Sequence, residues 1–213
     1  MTKKEIILNI KEIFNKIYAD AACSLDFSTP HELLVAVQLS AQCTDARVNI
    51  VTKDLFKKYT SVYDFASANE EELCAIIKPC GFFRTKGKNI IASSQKIISQ
   101  FGSELPDNME DLLSLPGVGR KTANLILGDV FGIPGLVIDT HAIRLSNRIG
   151  LVNEKDPVKI EFALKKIVPS DYQTRFCHQL VHHGRAVCNA AKPACTTCPI
   201  AHLCKKKNVK KFV

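Results

Sequence analysis

Residues 115–123 read "LPGVGRKTA", and the fold turns on how this stretch is read. Pro116 halts whatever helix precedes it. Gly117 and Gly119 admit backbone angles closed to other residues, so the chain can reverse tightly. A helix-forming run follows at once. The stretch therefore reads as a hairpin between two helices, with no side chain over its tip. Main-chain N–H groups at the tip, and in the first turn of the next helix, can approach an anion closely. A DNA phosphate suits such a site, and that contact would position a duplex without reading its sequence. A plain helix–turn–helix corner with no ligand is the simpler alternative.

Lys121 falls in the first turn after the hairpin. The positive end of the helix dipole and the neighbouring Arg120 both disfavour its ammonium form. An amine so placed can serve as a nucleophile; a phosphate-binding or merely solvated lysine is the alternative. "VIDTH" at 137–141 sets Asp139 at the end of an apolar run. A helix over 120–131 rises roughly 17 Å, and residues 132–139 span up to roughly 26 Å when extended. The connection is long enough to bring Asp139 back beside Lys121. Asp139 also precedes a helix, so an N-cap role is expected of it as well.

Working outward, the chain reads as helices joined by short turns. Ile6, Ile10, Ile13 and Ile17 have helical spacing over 4–18. "TPHE" at 29–32 is a capping box, opening a helix through "LLVAVQLSAQ". Further helices are expected from Thr44 or Asp45 to near Tyr59, from 67–70 to Pro79, over 86–102, and briefly after "DNME" at 107–110. Others are expected over 120–131, 141–149, 157–168 and 172–184, with Asp156-Pro157 and Gly150 as start and stop signals. Nothing alternates with period two, so no sheet is expected and the fold class is all-α.

Of the 213 residues, 46% are hydrophobic, enough for a substantial core, yet no apolar run approaches the roughly 18 residues of a membrane span. The N-terminus "MTKKEIILNIKEIFNKI" carries charges throughout and lacks the features of a signal peptide. A cytoplasmic protein is expected. Net charge is +8, which points to an anionic partner. Five of these charges lie in the run Lys205–Lys211, and the rest of the chain carries only +3. Such a run reads first as a solvated tail.

Nine cysteines are present. Cys23, Cys43, Cys74, Cys80 and Cys177 are scattered and read as small buried hydrophobes. Cys188, Cys195, Cys198 and Cys204 form C-x6-C-x2-C-x5-C. Four thiolates so bunched suit an iron–sulfur cluster or zinc, and the donor set alone does not choose.

The ordered set "LPGVGRKTA", "IDTH" and C-x6-C-x2-C-x5-C resembles the endonuclease III family of bifunctional DNA glycosylase/lyases. "LLVAVQLSAQCTD" at 33–45 adds to the likeness, which extends over nearly the whole chain. The resemblance implies a helix-hairpin-helix glycosylase fold. Residues 23–133 would form a six-helix barrel; residues 1–22 and 134–213 would form an iron–sulfur domain, with the active-site cleft between them. It implies Lys121 and Asp139 as catalytic residues and a [4Fe–4S] cluster on Cys188, Cys195, Cys198 and Cys204. Duplex DNA carrying damaged bases or abasic sites is the implied partner, with the protein monomeric and nucleoid-associated.

The same resemblance implies DNA contacts by Gly117, Val118, Gly119, Arg120 and Thr122 around the hairpin, by His141, and by Lys192 in the cluster loop. Gln42 and Phe82 resemble the family's wedges, which fill the space left by a flipped nucleotide. The implied activity is removal of oxidised pyrimidines through a Schiff base, followed by β-elimination. A glycosylase for another lesion, or a non-catalytic DNA-binding module with a zinc site, are the rival readings. Lys121 separates the chain from adenine-DNA glycosylases, which resemble it in hairpin and cluster but lack that lysine. The loop "CNAAKPAC" departs from the family in keeping a single basic residue, Lys192. The lysines after it are candidates to replace the missing charge.

Overall fold

The computed structural model describes all 213 residues, and its regular structure is helical throughout. The helices are α1 (Lys3–Ile17), α2 (Pro30–Ser40), α3 (Asp45–Lys58), α4 (Val62–Ala66), α5 (Glu70–Ile77), α6 (Phe83–Phe101), α7 (Met109–Ser114), α8 (Arg120–Asp129), α9 (Thr140–Ile149), α10 (Pro157–Lys165) and α11 (Gln173–Ala186). Short 3-10 turns occur at Lys78–Cys80, Ser170–Tyr172 and Ala201–Leu203. No helix is long and apolar enough to cross a membrane.

Most starts are written in the sequence. Thr2 with Glu5, Thr29 with Glu32 and Ser61 with Asp64 close capping boxes. Thr44, Asn69, Asn108 and Asp156 accept the N–H three residues on. Three differences from the sequence reading have local causes. α2 stops at Ser40 because the chain then leaves helical geometry, with Gln42 in the left-handed region at φ 55°. α6 begins at Phe83, three residues earlier than expected, behind a left-handed Phe82. α4 spans five residues, too short to show a period.

The chain divides into two compact units, Cys23–Gly132 and Met1–Ala22 with Ile133–Val213. In the first, seven successive residues of α2, Leu33 to Leu39, are buried. A helix buried all round shows no polar stripe, and it forms the centre on which α3, α6 and α8 pack. α6 also packs on α4 and α5. At Gly87 a side chain would meet Cys74 Sγ at 2.8 Å, so glycine sets how closely α6 approaches α5.

In the second unit, α1 buries Ile6, Ile7, Ile10 and Phe14. α9 packs on α11. Gly184 permits this, because a Cβ there would overlap the His141 ring and the Arg144 guanidinium.

Candidate active site and cysteine centre

The hairpin of 115–119 joins α7 to α8. Leu115 and Val118 are buried beneath it, and Val118 donates its N–H to the Leu115 carbonyl at 3.1 Å. Gln38, the one polar residue in the apolar run of α2, donates to the Pro116 carbonyl at 2.8 Å. Gly117 has φ +77°, and a Cβ there would meet Asn89 of α6 at 2.8–3.0 Å. The turn is thus fixed on three sides.

Val118 is 8% exposed and its N–H bonds the Leu115 carbonyl inside the turn. One expectation about this turn is corrected. Gly119 has an ordinary extended backbone, φ −102°, and a Cβ there would meet nothing within 4 Å. Conformation does not demand glycine at 119. Its effect is to leave the tip bare.

Gly119 is the N-cap of α8, and no side chain caps that start. Arg120, Lys121 and Thr122 are its first three residues. Their amides lie where a helix has no partners of its own. Arg120 and Thr122 are half-buried, whereas Lys121 is exposed.

Asp139 caps α9, accepting the Ala142 N–H on Oδ1 at 2.7 Å. The preceding Leu136, Val137 and Ile138 are buried, so the carboxylate is held at both ends. His141 lies in the next turn. Arg144 bonds His141 Nδ1 at 3.1 Å and also donates to the Cys188 carbonyl at 3.0 Å. A guanidinium only donates, so Nδ1 is the acceptor and the ring proton sits on Nε2. Burial lowers the His141 pKa; Arg144 and Arg185 add to this, and Asp139 opposes it.

Gln42 and Phe82 are both exposed and both left-handed, Phe82 at 66% exposure. Phe83, by contrast, packs against the core. Neither 42 nor 82 is glycine, so the surrounding structure holds both in a conformation such residues seldom adopt.

Cys188, Cys195, Cys198 and Cys204 line a single recess, whose walls include Leu145, Ile149, Val187 and Ile200. None of the nine cysteines is paired in a disulfide. Arg148 Nη1 lies 3.4 Å from Cys188 Sγ, and the Lys206 N–H donates to Cys204 Sγ at 3.3 Å. Cys198 Sγ lies 3.5 Å from His183 Nε2. Burial pushes the Cys198 and Cys204 thiols up, and the neighbouring sulfurs push them further. Four sulfurs in an apolar recess, each disfavouring the other's charge, form a soft donor set suited to a cationic group. Lys192 is exposed on the loop between the first two cysteines.

Sequence reasoning missed Arg148, which ties that loop down: its guanidinium donates to the carbonyls of Asn189 and Ala190, each at 2.7 Å. It also missed Lys86, 6% exposed, whose ammonium donates to the Leu39 and Cys80 carbonyls. Neither stands in a motif. Each lies on a helix where a solvated base is the ordinary reading.

Residues 35–170 match the family model described as HhH-GPD superfamily base excision DNA repair protein. The chain is 48% identical to an endonuclease III of Synechocystis sp. over 204 residues, covering 95% of this chain and 93% of that protein. An endonuclease III of Bacillus subtilis is 43% identical over 207 residues, covering 94% of each. The solved structure of a non-covalent endonuclease III–DNA complex superposes with a TM-score of 0.90 at 40% identity, over 97% of both chains. With nearly two thirds of its length inside that superfamily model and endonuclease III proteins aligned along nearly all of it, the chain belongs to the HhH-GPD superfamily of base excision repair proteins, in its endonuclease III family.

Proposed function

We propose that this protein removes oxidised pyrimidines from duplex DNA and cleaves the resulting abasic strand, working as a monomer in the cytoplasm at the nucleoid. One observation carries the reading: Lys121 is exposed in the first turn of a helix whose start no side chain caps, directly behind a glycine hairpin. The endonuclease III–DNA complexes, one of them a trapped covalent intermediate, support the choice of duplex DNA and of covalent chemistry.

The amides that open α8 receive the phosphates beside the lesion, and the damaged nucleotide is flipped out of the stack. Gln42 and Phe82 fill the space it leaves. The Lys121 amine attacks C1′ of the sugar as the bond from C1′ to the base breaks, and the base departs with a proton. Asp139, fixed by its cap on α9, either accepts the proton of the amine or, as a carboxylate, stabilises positive charge developing on the sugar. The sugar ring opens to give a Schiff base on Lys121. Loss of a C2′ proton then expels the 3′ phosphate by β-elimination, and water releases the lysine.

Cys188, Cys195, Cys198 and Cys204 would hold a [4Fe–4S] cluster. The four sulfurs share one apolar recess, with N–H donors at two of them, and the likeness to endonuclease III proteins supports the cluster over zinc. The group supplies a cross-link that shapes loop 188–204 and takes no part in reaction at the sugar.

Borohydride reduction in the presence of lesion-bearing duplex tests the nucleophile. A covalent protein–DNA adduct is expected for wild type and none for Lys121→Ala. An adduct retained in the variant overturns the assignment. A panel of single-lesion duplexes fixes the substrate range. Iron and sulfide content with visible absorption tests the cluster, and a colourless protein with stoichiometric zinc overturns it.

A further inference from the structure

Segment 205–213, "KKKNVKKFV", is not the loose solvated tail its composition suggests. Lys205 and Lys207 donate their N–H groups to the carbonyls of Ile149 and Arg148, at 3.1 and 3.0 Å. Lys206 and Asn208 take left-handed backbone angles, and Val209 closes the turn onto the Lys206 carbonyl at 3.2 Å. Farther on, Val213 donates to the Pro193 carbonyl at 3.1 Å and accepts from the Thr196 N–H at 2.9 Å. The Lys206 ammonium lies 5.0 Å above the Phe212 ring. The stem of Lys205 packs on Gly150, where a Cβ would collide with it. The segment is thus laid against the cysteine loop and pinned at both ends.

This packing sets two unequal charge densities side by side. Loop 188–195 carries one basic residue, Lys192, while the pinned segment carries five. Arg148 lies beneath them, but its guanidinium is committed to the loop carbonyls. Lys207, Lys210 and Lys211 are exposed, and none forms an ion pair with a carboxylate. Lys210 and Lys211 flank a recess lined also by Arg148, Ala190, Ala191 and Asn208.

We infer that Lys207, Lys210 and Lys211, held by the fold of segment 205–213 on the cysteine loop, form a contact surface for the phosphate backbone of duplex DNA. The inference rests on the proposed function for the identity of the polyanion. The physical case is local. An anchored backbone has already lost much of the freedom that a loose tail would lose on binding, so its ammonium groups engage phosphates at lower entropic cost. Exposed lysines outside any ion pair are suited to backbone contacts that ignore base sequence. The charge absent from the loop is supplied by the segment resting on it.

The test is the salt dependence of binding to an undamaged duplex. Each phosphate contact contributes about 0.9 to the slope of log affinity against log salt. Lys207→Gln/Lys210→Gln/Lys211→Gln should weaken binding and flatten that slope by roughly 2 to 3. The corresponding triple arginine variant should keep the wild-type slope. Lys3→Gln/Lys4→Gln/Lys16→Gln removes equal charge from α1 and should leave the slope unchanged. An unchanged slope in the first variant overturns the inference, and so does an equal flattening in the α1 control. Borohydride trapping with wild type decides the proposed reaction separately. Failure there with a steep wild-type salt slope would count against the lyase alone.

Discussion

The ammonium of Lys86 donates to the carbonyl oxygen of Cys80 at 2.9 Å from a position only 6% exposed. It reaches the Leu39 carbonyl at the same distance. One carbonyl lies near the end of α2, three residues before Gln42; the other lies two residues before Phe82. A single buried amine thus fastens the two segments that lead to both left-handed, exposed side chains. Burial lowers its pKa, and the Cys43 and Cys80 thiols oppose that shift.

Removing this amine should cost stability. Lys86→Met leaves two buried carbonyls without their charged donor. Hydrogen bonds to charged groups contribute about 1.5–3 kcal/mol each, partly offset by no longer burying an ammonium, so a net loss of roughly 2–4 kcal/mol is expected. Urea denaturation measures it directly. A variant as stable as wild type would show that the two carbonyls are readily satisfied by water.

The two hairpin glycines should respond differently to the same methyl group. Gly117→Ala forces a left-handed alanine against Asn89, and a loss of roughly 1–3 kcal/mol is expected, together with weaker duplex binding. Gly119→Ala meets nothing within 4 Å and needs no special backbone angle, so its melting temperature should stay near wild type. Its methyl nevertheless covers the bare tip at the start of α8. Duplex affinity, measured at one fixed salt concentration, should fall while stability holds. Equal affinity for Gly119→Ala and wild type would remove the tip from the binding surface.

The difference between these glycines also marks the boundary of what the sequence discloses. Proline, paired glycines and caps are local signals, so the helices, the turn at 115–119 and the cap role of Asp139 were readable from one dimension. Which glycine is conformationally required was not, because that depends on Asn89 lying beneath Gly117. Lys86 and Arg148 were illegible for the same reason. Their partners are carbonyl oxygens 6 to 47 residues away, and carbonyls carry no sequence signature. The folding back of segment 205–213 likewise rests on main-chain bonds that composition does not encode.

His31 should make stability fall on mild acidification. Burial holds its imidazole down at about 4. His31 Nε2 lies 2.9 Å from Ser94 Oγ, whose hydroxyl is also 2.8 Å from the Ile90 carbonyl. The Phe65 ring lies alongside, 5.2 Å between centroids. The unfolded chain binds a proton near the ordinary histidine value of about 6.5, whereas the folded chain does so only near 4. Between those values the unfolded state carries more protons, so stability drops as pH falls from about 6.5 to about 4, by up to about 3 kcal/mol. His31→Gln can still bond Ser94 but does not titrate, so its denaturation midpoint should vary less over that window. Parallel pH profiles for the two proteins would show that His31 carries no such linkage.

Arg148 should govern how well the cysteine loop retains the proposed metal group. Its two terminal nitrogens reach the Asn189 and Ala190 carbonyls at 2.7 Å, and Nη1 also lies 3.4 Å from Cys188 Sγ. Lysine has one nitrogen and no planar fork, so Arg148→Lys keeps at most part of this set. Arg148→Met keeps none, and it leaves the loop carbonyls and a ligand sulfur without their donor. Groups that orient metal ligands typically account for 10–100-fold in metal affinity. In iron-loaded protein challenged with a chelator, the visible absorption should therefore decay fastest for Arg148→Met, at an intermediate rate for Arg148→Lys, and slowest for wild type. Circular dichroism of the helices, followed in the same samples, separates loss of the metal group from unfolding. If absorption and helicity vanish together in every protein, Arg148 acts on global stability. Early loss of absorption in the variants, with helicity intact, assigns it to the loop.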